Sequence, residues 1–266
     1  MSDRTKGRSR SGSAVWGVVI IVAVFAVIAG GWYLTQGEGE SLVVYCAHDS
    51  VYADSVLNDF QEKTGIKVHK VYDTEATKSL GLIEKLIKEK NAPRCDVFWN
   101  NELLGTMDLQ EEGVLEPYKG PGYERIPAEF KDPDGYWTGF GSRLRVYIVN
   151  TDNMDATEKA VDERLAAESL DGVCLAKPLY GTTLTHFTIL WDRMGGENLL
   201  AWHNERLERG LQIVDGNAQV KELVSAGKCD MGYTDTDDFY LAVDEGKPVA
   251  AVPVRLETGS TICIPN

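Results

Sequence analysis

Hydrophobic and polar positions alternate along this chain in two distinct periods. Leu42–Tyr45 is a short apolar run and reads as a buried strand ending at Cys46. Asp49-Ser50 then offers helix caps to Val51–Lys63, with apolar residues at Val51, Val56, Leu57 and Phe60, and Thr64-Gly65 stops that helix. Ile66–Val68 predicts a second strand. Thr74–Lys90 predicts a helix with Leu80, Ile83, Leu86 and Ile87 on one face, and Asp96–Trp99 a third strand. Strand–helix–strand–helix–strand is the pattern of a parallel sheet covered by helices, and ligands of such sheets bind beyond the carboxyl ends of the strands. Those ends are Ala47–Ser50, Val71–Thr74 and Asn100–Glu102.

A Gly/Pro-rich stretch, Gly120–Gly141, separates this half from strand Arg143–Asn150. A second α/β run follows. Strands are predicted at Gly172–Ala176, Ile213-Val214, Met231–Thr234 and Val249–Val254. Helices are predicted from Gly181 to about Met194, and over Glu197–Gly210, Val220–Ala226 and Phe239–Glu245. The fold class is α/β in two lobes: lobe 1 over 42–142, lobe 2 over 143–254 with 143–150 as a crossing strand, and 255–266 returning toward lobe 1. No repeat of fixed period is visible. The final strand, Thr261–Ile264, ends the chain flush against a core, which reads as a fragment lacking its C-terminal part.

The N-terminus follows a different pattern. Residues 1–13 form a basic tail. Ala14–Leu34 carries no charge over its whole length and, as a helix rising 1.5 Å per residue, spans about 31 Å. Trp32 and Tyr33 stand at its far end. Residues 14–35 therefore read as a transmembrane anchor, with 36–41 a linker and the rest of the chain outside the cytoplasm by the positive-inside rule. The competing reading is a signal segment cleaved near 29–31, against which the length of the apolar stretch argues.

Charge narrows the ligands. The 266 residues carry a formal charge of −14; Arg4, Lys6, Arg8 and Arg10 against Asp3 make the first thirteen +3, so the remainder is −17. An acidic body is a poor partner for phosphate backbones, which excludes nucleic acid and favours a cation. The five cysteines have no C-x-x-C spacing, which excludes a zinc ribbon, and each beside an apolar run reads as a buried thiol.

The segments VVYCAHDSVYADSVLNDFQEKTGIKV, CDVFWNNELLGTMDLQEEGVLEPY, GFGSRLRVYIVN, GTTLTHF and GNAQVKELVSAGKCDMGYTDTDDF, in that order, resemble the bacterial extracellular solute-binding proteins of the type 2 periplasmic-binding fold. Within that fold they are most similar to the ferric-iron-binding group that serves ABC importers. The resemblance covers Leu42–Asn266. It implies two lobes that close on a solute, permease and ATPase subunits as partners, a periplasmic or extracellular location, and iron(III) as cargo, with or without a synergistic anion.

Residue by residue, the resemblance offers His48 and Asp49 after the first strand, and Asn101 with Glu102 after the third, as metal ligands. In the second lobe the family's paired tyrosines are replaced by Asp237 and Asp238, which with Asp235 concentrate three carboxylates at one strand end. Carboxylates serve ferric ion, calcium, magnesium and manganese alike. Tyr180, Gly181, Thr182 and Thr183 open a helix where an anion would sit, and Asn100, Arg143 and Arg145 are candidates to hold an anion or polar solute. Three alternatives stand beside ligand binding at these positions: helix capping by Asp49 and the threonines, first-turn placement of Asp237 and Asp238, and pairing of an arginine with the acidic cluster. His186 reads as packing or surface. Two rival cargoes are an organic cation and a small anionic solute. A remote rival is an Asp-dependent phosphatase, from Asp235-Thr236-Asp237. Otherwise no enzyme signature is present, and the chain is read as a binding protein.

Overall fold

The computed structural model describes residues 40–73 and 80–266. The expected anchor over 14–35, its basic tail and most of the linker lie outside the described residues, as do 74–79. Among the described residues no helix is long and apolar enough to cross a membrane. Contacts divide the described residues into two compact units, 40–42 with 56–69, and 43–55 with 70–73 and 80–266. In the first, the Lys67 N–H bonds the Glu40 carbonyl (3.0 Å) and the Gln61 side chain accepts from the Val68 N–H (3.0 Å). The second unit holds every residue discussed below as a site.

The elements are β1 (Ser41–Cys46), α1 (Ser50–Thr64), β2 (Lys67–Tyr72), α2 (Leu80–Glu89), β3 (Val97–Trp99) and α3 (Leu104–Glu111), then two short 3-10 turns, Tyr123–Arg125 and Ala128–Phe130. Next come β4 (Ser142–Asn150), α4 (Glu158–Ala166), β5 (Val173–Ala176), α5 (Gly181–Met194), α6 (Gly196–Glu208), β6 (Gln212–Val214), α7 (Asn217–Ser225), β7 (Met231–Asp235), α8 (Thr236–Asp244), β8 (Val249–Pro253) and β9 (Cys263–Pro265). They form a three-stranded sheet, β2-β1-β3, and a six-stranded sheet, β6-β5-β7-β4-β8 with β9 also on β4. In the first, β1 runs parallel to β3, with Val44 opposite Val97. Its core is Tyr45, Ala47, Leu82, Ile83, Leu86 and Leu109.

The second sheet is mixed. β5 is parallel to β6 and β7, while β4 is antiparallel to both β7 and β8. The crossing strand thus becomes a central strand, buried from both faces. Val149, Val173, Leu175 and Met231 face one apolar cluster, and Ile148, Cys174, Val220 and Val224 the other. A strand covered on both faces reads as a continuous apolar run, which is why Met231–Asp235 is entirely buried.

Two helices were not anticipated, α3 and α4. Both carry only a thin apolar stripe: α3 buries Gly105 and Leu109, and α4 buries Val161. The thiols are all free. Cys46, Cys174 and Cys229 are buried, but Cys95 is half-buried and Cys263 is exposed on the short strand β9, against the expectation that all five would be covered.

Candidate functional site: a cleft with acidic and donor walls

The antiparallel pairing of β4 with β7 puts Arg145 opposite Asp235. Both side chains are fully buried, and the Arg145 guanidinium donates to Asp235 at 2.8 Å. The Asp235 carboxylate also accepts from the Thr182 hydroxyl and from Asn217 Nδ2 (2.9 Å). Burial alone would raise its pKa; Arg145 and Arg143 outweigh it and hold it below the ordinary value. Asp235, expected as a metal ligand, is buried and paired with Arg145, which was expected as a solute clamp, while one of its oxygens stays within 4.8 Å of Asp237 and Asp238. Burial and pairing of Asp235 weigh against its use as the nucleophile of the phosphatase reading.

Two and three residues on, the environment changes. Arg143 lies two positions before Arg145 on the same strand face and reaches the cleft. It donates to Asp237 at 3.0 Å, to the Asn101 carbonyl, and lies 3.6 Å from Asp235. Asp237 and Asp238 occupy the first turn of α8, whose start has no side-chain cap. Asp237 Oδ1 is buried and makes no hydrogen bond among the described residues. Asp238 accepts from the Thr234 hydroxyl at 2.8 Å. Burial, then the Asp237 and Asp235 charges, push its pKa up to about 7. One oxygen from each of the three aspartates lies within 4.8 Å of the others.

Facing them is the start of α5. Gly181 takes φ +59°, a left-handed conformation that glycine adopts without strain, and turns the chain from β5 into the helix. The α5 start has no side-chain cap. The Thr182 hydroxyl serves Asp235 and the Thr183 hydroxyl serves Asn217 Oδ1 (3.2 Å), so neither caps its own helix. First-turn N–H groups have no intrahelical acceptor and carry the positive end of the helix dipole. Tyr180, Gly181, Thr182 and Thr183 line the cleft with Arg143, Asp237 and Asp238. α7 begins beside them at Gly216-Asn217, again without a side-chain cap.

The lobe 1 wall is mixed. His48 and Asp49 line the cleft, and His48 Nδ1 accepts from the Asp49 N–H at 3.0 Å. That bond occupies Nδ1 as an acceptor and leaves Nε2 as the ring nitrogen not engaged in it. Asn101 also lines the cleft, with Nδ2 tied to the Ala47 carbonyl (3.0 Å). Asn100 and Glu102 turn the other way. Glu102 accepts from the N–H groups of Leu104 (2.7 Å) and Gly105 (2.8 Å) at the start of α3, and burial raises its pKa against those bonds. Asn100 bonds Thr106 Oγ1 (3.0 Å) and the Asn101 N–H (2.9 Å). Expected to contact metal or solute, both instead build the β3–α3 turn. His186 is buried against Tyr233, and burial lowers its pKa to about 3, in keeping with a packing role.

The cleft has a small chamber of about 40 Å³ at Arg143 and the α5 start, and a larger one of about 410 Å³. They share His48, Asp49, Ala218 and Asp238, and the larger is also lined by Tyr52, Tyr72 and Lys221. Asn217, Tyr52 and Lys221 were missed in the sequence. The dipeptide Gly216-Asn217 after a strand was the available signal for the first, since the α7 helix starts three residues before its first apolar position.

No protein-family profile matches the chain. It is 26% identical over 213 residues to iron uptake protein A1 of Synechocystis sp. (strain ATCC 27184 / PCC 6803 / Kazusa), covering 78% of this chain and 57% of that protein. The chain thus spans little more than half the length of that relative. Among solved structures it is similar to iron-bound HitA from Pseudomonas aeruginosa (TM-score 0.74, 20% identity, 85% of this chain and 73% of that one). It is also similar to the periplasmic binding protein AfuA from Actinobacillus pleuropneumoniae with fructose-6-phosphate bound (TM-score 0.70, 19% identity, 86% and 72%). The fold is the two-lobed α/β fold of the periplasmic binding proteins.

Proposed function

We propose that this protein is the extracytoplasmic binding component of an ABC importer and that its cargo is iron(III) held together with an anion. One observation carries the reading: a cation seat and an anion seat share a wall. Asp237 and Asp238 stand beside Arg143 and the uncapped starts of α5 and α7. Iron uptake protein A1 and iron-bound HitA are similar to this chain and support the choice of metal.

The charges set the conditions of capture. Asp235, Asp237 and Asp238 face two guanidinium groups, so the cluster keeps one negative charge when Asp238 is ionised and none when it is protonated. Iron(III) displaces the Asp238 proton, and Asp237 supplies a second oxygen. The anion then takes Arg143 and the α5 N–H groups, replacing the carboxylate that Arg143 gives up. Contacts made only with cargo in place favour the closed form of the two lobes, which the permease and ATPase subunits would read. An anchor at 14–34 would keep the receptor at the outer face of the cytoplasmic membrane.

A second reading, capture of a small anionic solute alone, is favoured by Arg143 reaching the cleft beside the uncapped starts of α5 and α7. Thermal unfolding separates the two. A true ligand raises the melting temperature with occupancy. Iron(III) citrate should raise it by several degrees, with citrate and fructose-6-phosphate alone giving little. A shift with citrate or the sugar phosphate alone, unchanged by added iron, overturns the iron reading in favour of the second.

A further inference from the structure

Cys174 and Cys229 are 0% and 1% exposed and lie in one apolar cluster with Val220 and Val224. Cys174 stands on β5 between its register partners Gln212 on β6 and Gly232 on β7. Its sulfur covers Gly232: a Cβ there would come within 2.7 Å of it, so the thiol points to the α7 side of the sheet. Cys229 sits on that same side, in the turn between α7 and β7, with its N–H on the Leu223 carbonyl (3.2 Å). Its sulfur lies 3.9 Å from Gln212 Oε1, the side chain next to Cys174. The Cys174 sulfur lies 3.8 Å from the Met231 carbonyl, two residues along the chain from Cys229. Cys46, Cys95 and Cys263 are not members of this cluster.

We infer that Cys174 and Cys229 are a disulfide-forming pair that closes by thiol–disulfide exchange in an oxidising compartment. Only the compartment rests on the proposed function; the pairing rests on the sheet register and the shared cluster. The thiolate of one cysteine attacks an external disulfide during folding or local opening, and one external thiol leaves. The second cysteine then displaces the other external thiol from the mixed disulfide. Two S–H bonds and one external S–S bond become one internal S–S bond and two external thiols. The bond closes the chain between 174 and 229 and ties β5 to the approach of β7. Those are the strands that deliver the α5 start and Asp235.

The full chain is equilibrated with oxidised glutathione, trapped with N-ethylmaleimide and mapped without reduction. One cross-linked peptide joining Cys174 to Cys229 is expected, with a melting temperature about 5–10 °C higher. Dithiothreitol should reverse both, and Cys174→Ala and Cys229→Ala should each abolish both. Cross-links that involve Cys263 instead, or two thiols that remain alkylatable on unfolding, overturn the inference. So does a cross-link that lowers the melting temperature. A chain that forms the link yet binds no iron leaves the pairing in place and removes only the proposed cargo.

Discussion

Two halves of one acidic cluster, two to three residues apart in sequence, sit in different surroundings. Asp235 is fully buried, meets Arg145 at 2.8 Å, and has Thr182 and Asn217 completing its shell. Asp237 and Asp238 line a cleft; Asp237 pairs with Arg143 and has a buried oxygen without a partner among the described residues, and the Asp238 carboxyl has a pKa raised to about 7. The functional group is the same in both halves; completeness of pairing is not. A carboxylate whose hydrogen bonds are all met inside the protein holds a fold together. One left short, at a cavity, has capacity for a ligand.

The sharpest way to break this contrast is to unpair the buried half. Arg145→Met leaves Asp235 buried with its main counter-charge gone, and removing one partner of a buried pair costs about 3–5 kcal/mol. Urea unfolding should show that loss, with a melting temperature lower by about 10 °C. A change under 1 kcal/mol would put Asp235 in the same class as its neighbours. Asp237→Asn tests the open half. Iron retained from iron(III) citrate should fall at least about tenfold, while stability moves by about 1 kcal/mol.

The pH response comes next. A carboxyl with a folded pKa near 7 holds its proton more tightly in the folded than in the unfolded chain. Stability from Asp238 is therefore present at low pH and is lost as pH rises from about 4 toward 7. Asp235, shifted the other way, acts only below the ordinary carboxylate range. Wild type should melt higher at pH 5 than at pH 8, and Asp238→Asn should flatten that slope. Iron affinity should run in the opposite sense, rising through pH 7 as the competing proton leaves. The smallest effect belongs to Glu102→Ala, about 1 kcal/mol from the α3 start, with iron binding untouched. A loss of iron there would return Glu102 to the cleft.

Much of the scaffold was legible because apolar periodicity is a local signal. α5 was expected from Gly181 to about Met194 and runs over those residues, and β4 and β7 end within a residue of the expected bounds. α3 and α4 escaped because their buried faces are one or two residues wide. At the candidate site, residues that the sequence reading grouped, Arg143, Tyr180–Thr183, Asp237 and Asp238 with His48, Asp49 and Asn101, line one cavity. It did not separate Arg143 from Arg145. Strand alternation puts both on one face, and only the register with β7 decides which meets Asp235. Glu102 was misread for a related reason: its role follows from a helix that the pattern does not announce.

Equilibrium dialysis of the full chain against iron(III) citrate, followed by metal analysis, tests the central claim most directly. The account predicts about one iron per chain with citrate retained beside it, and loss of both in the Asp237→Asn, Asp238→Asn double variant. Citrate retained without iron, or iron retained equally by the double variant, would contradict it.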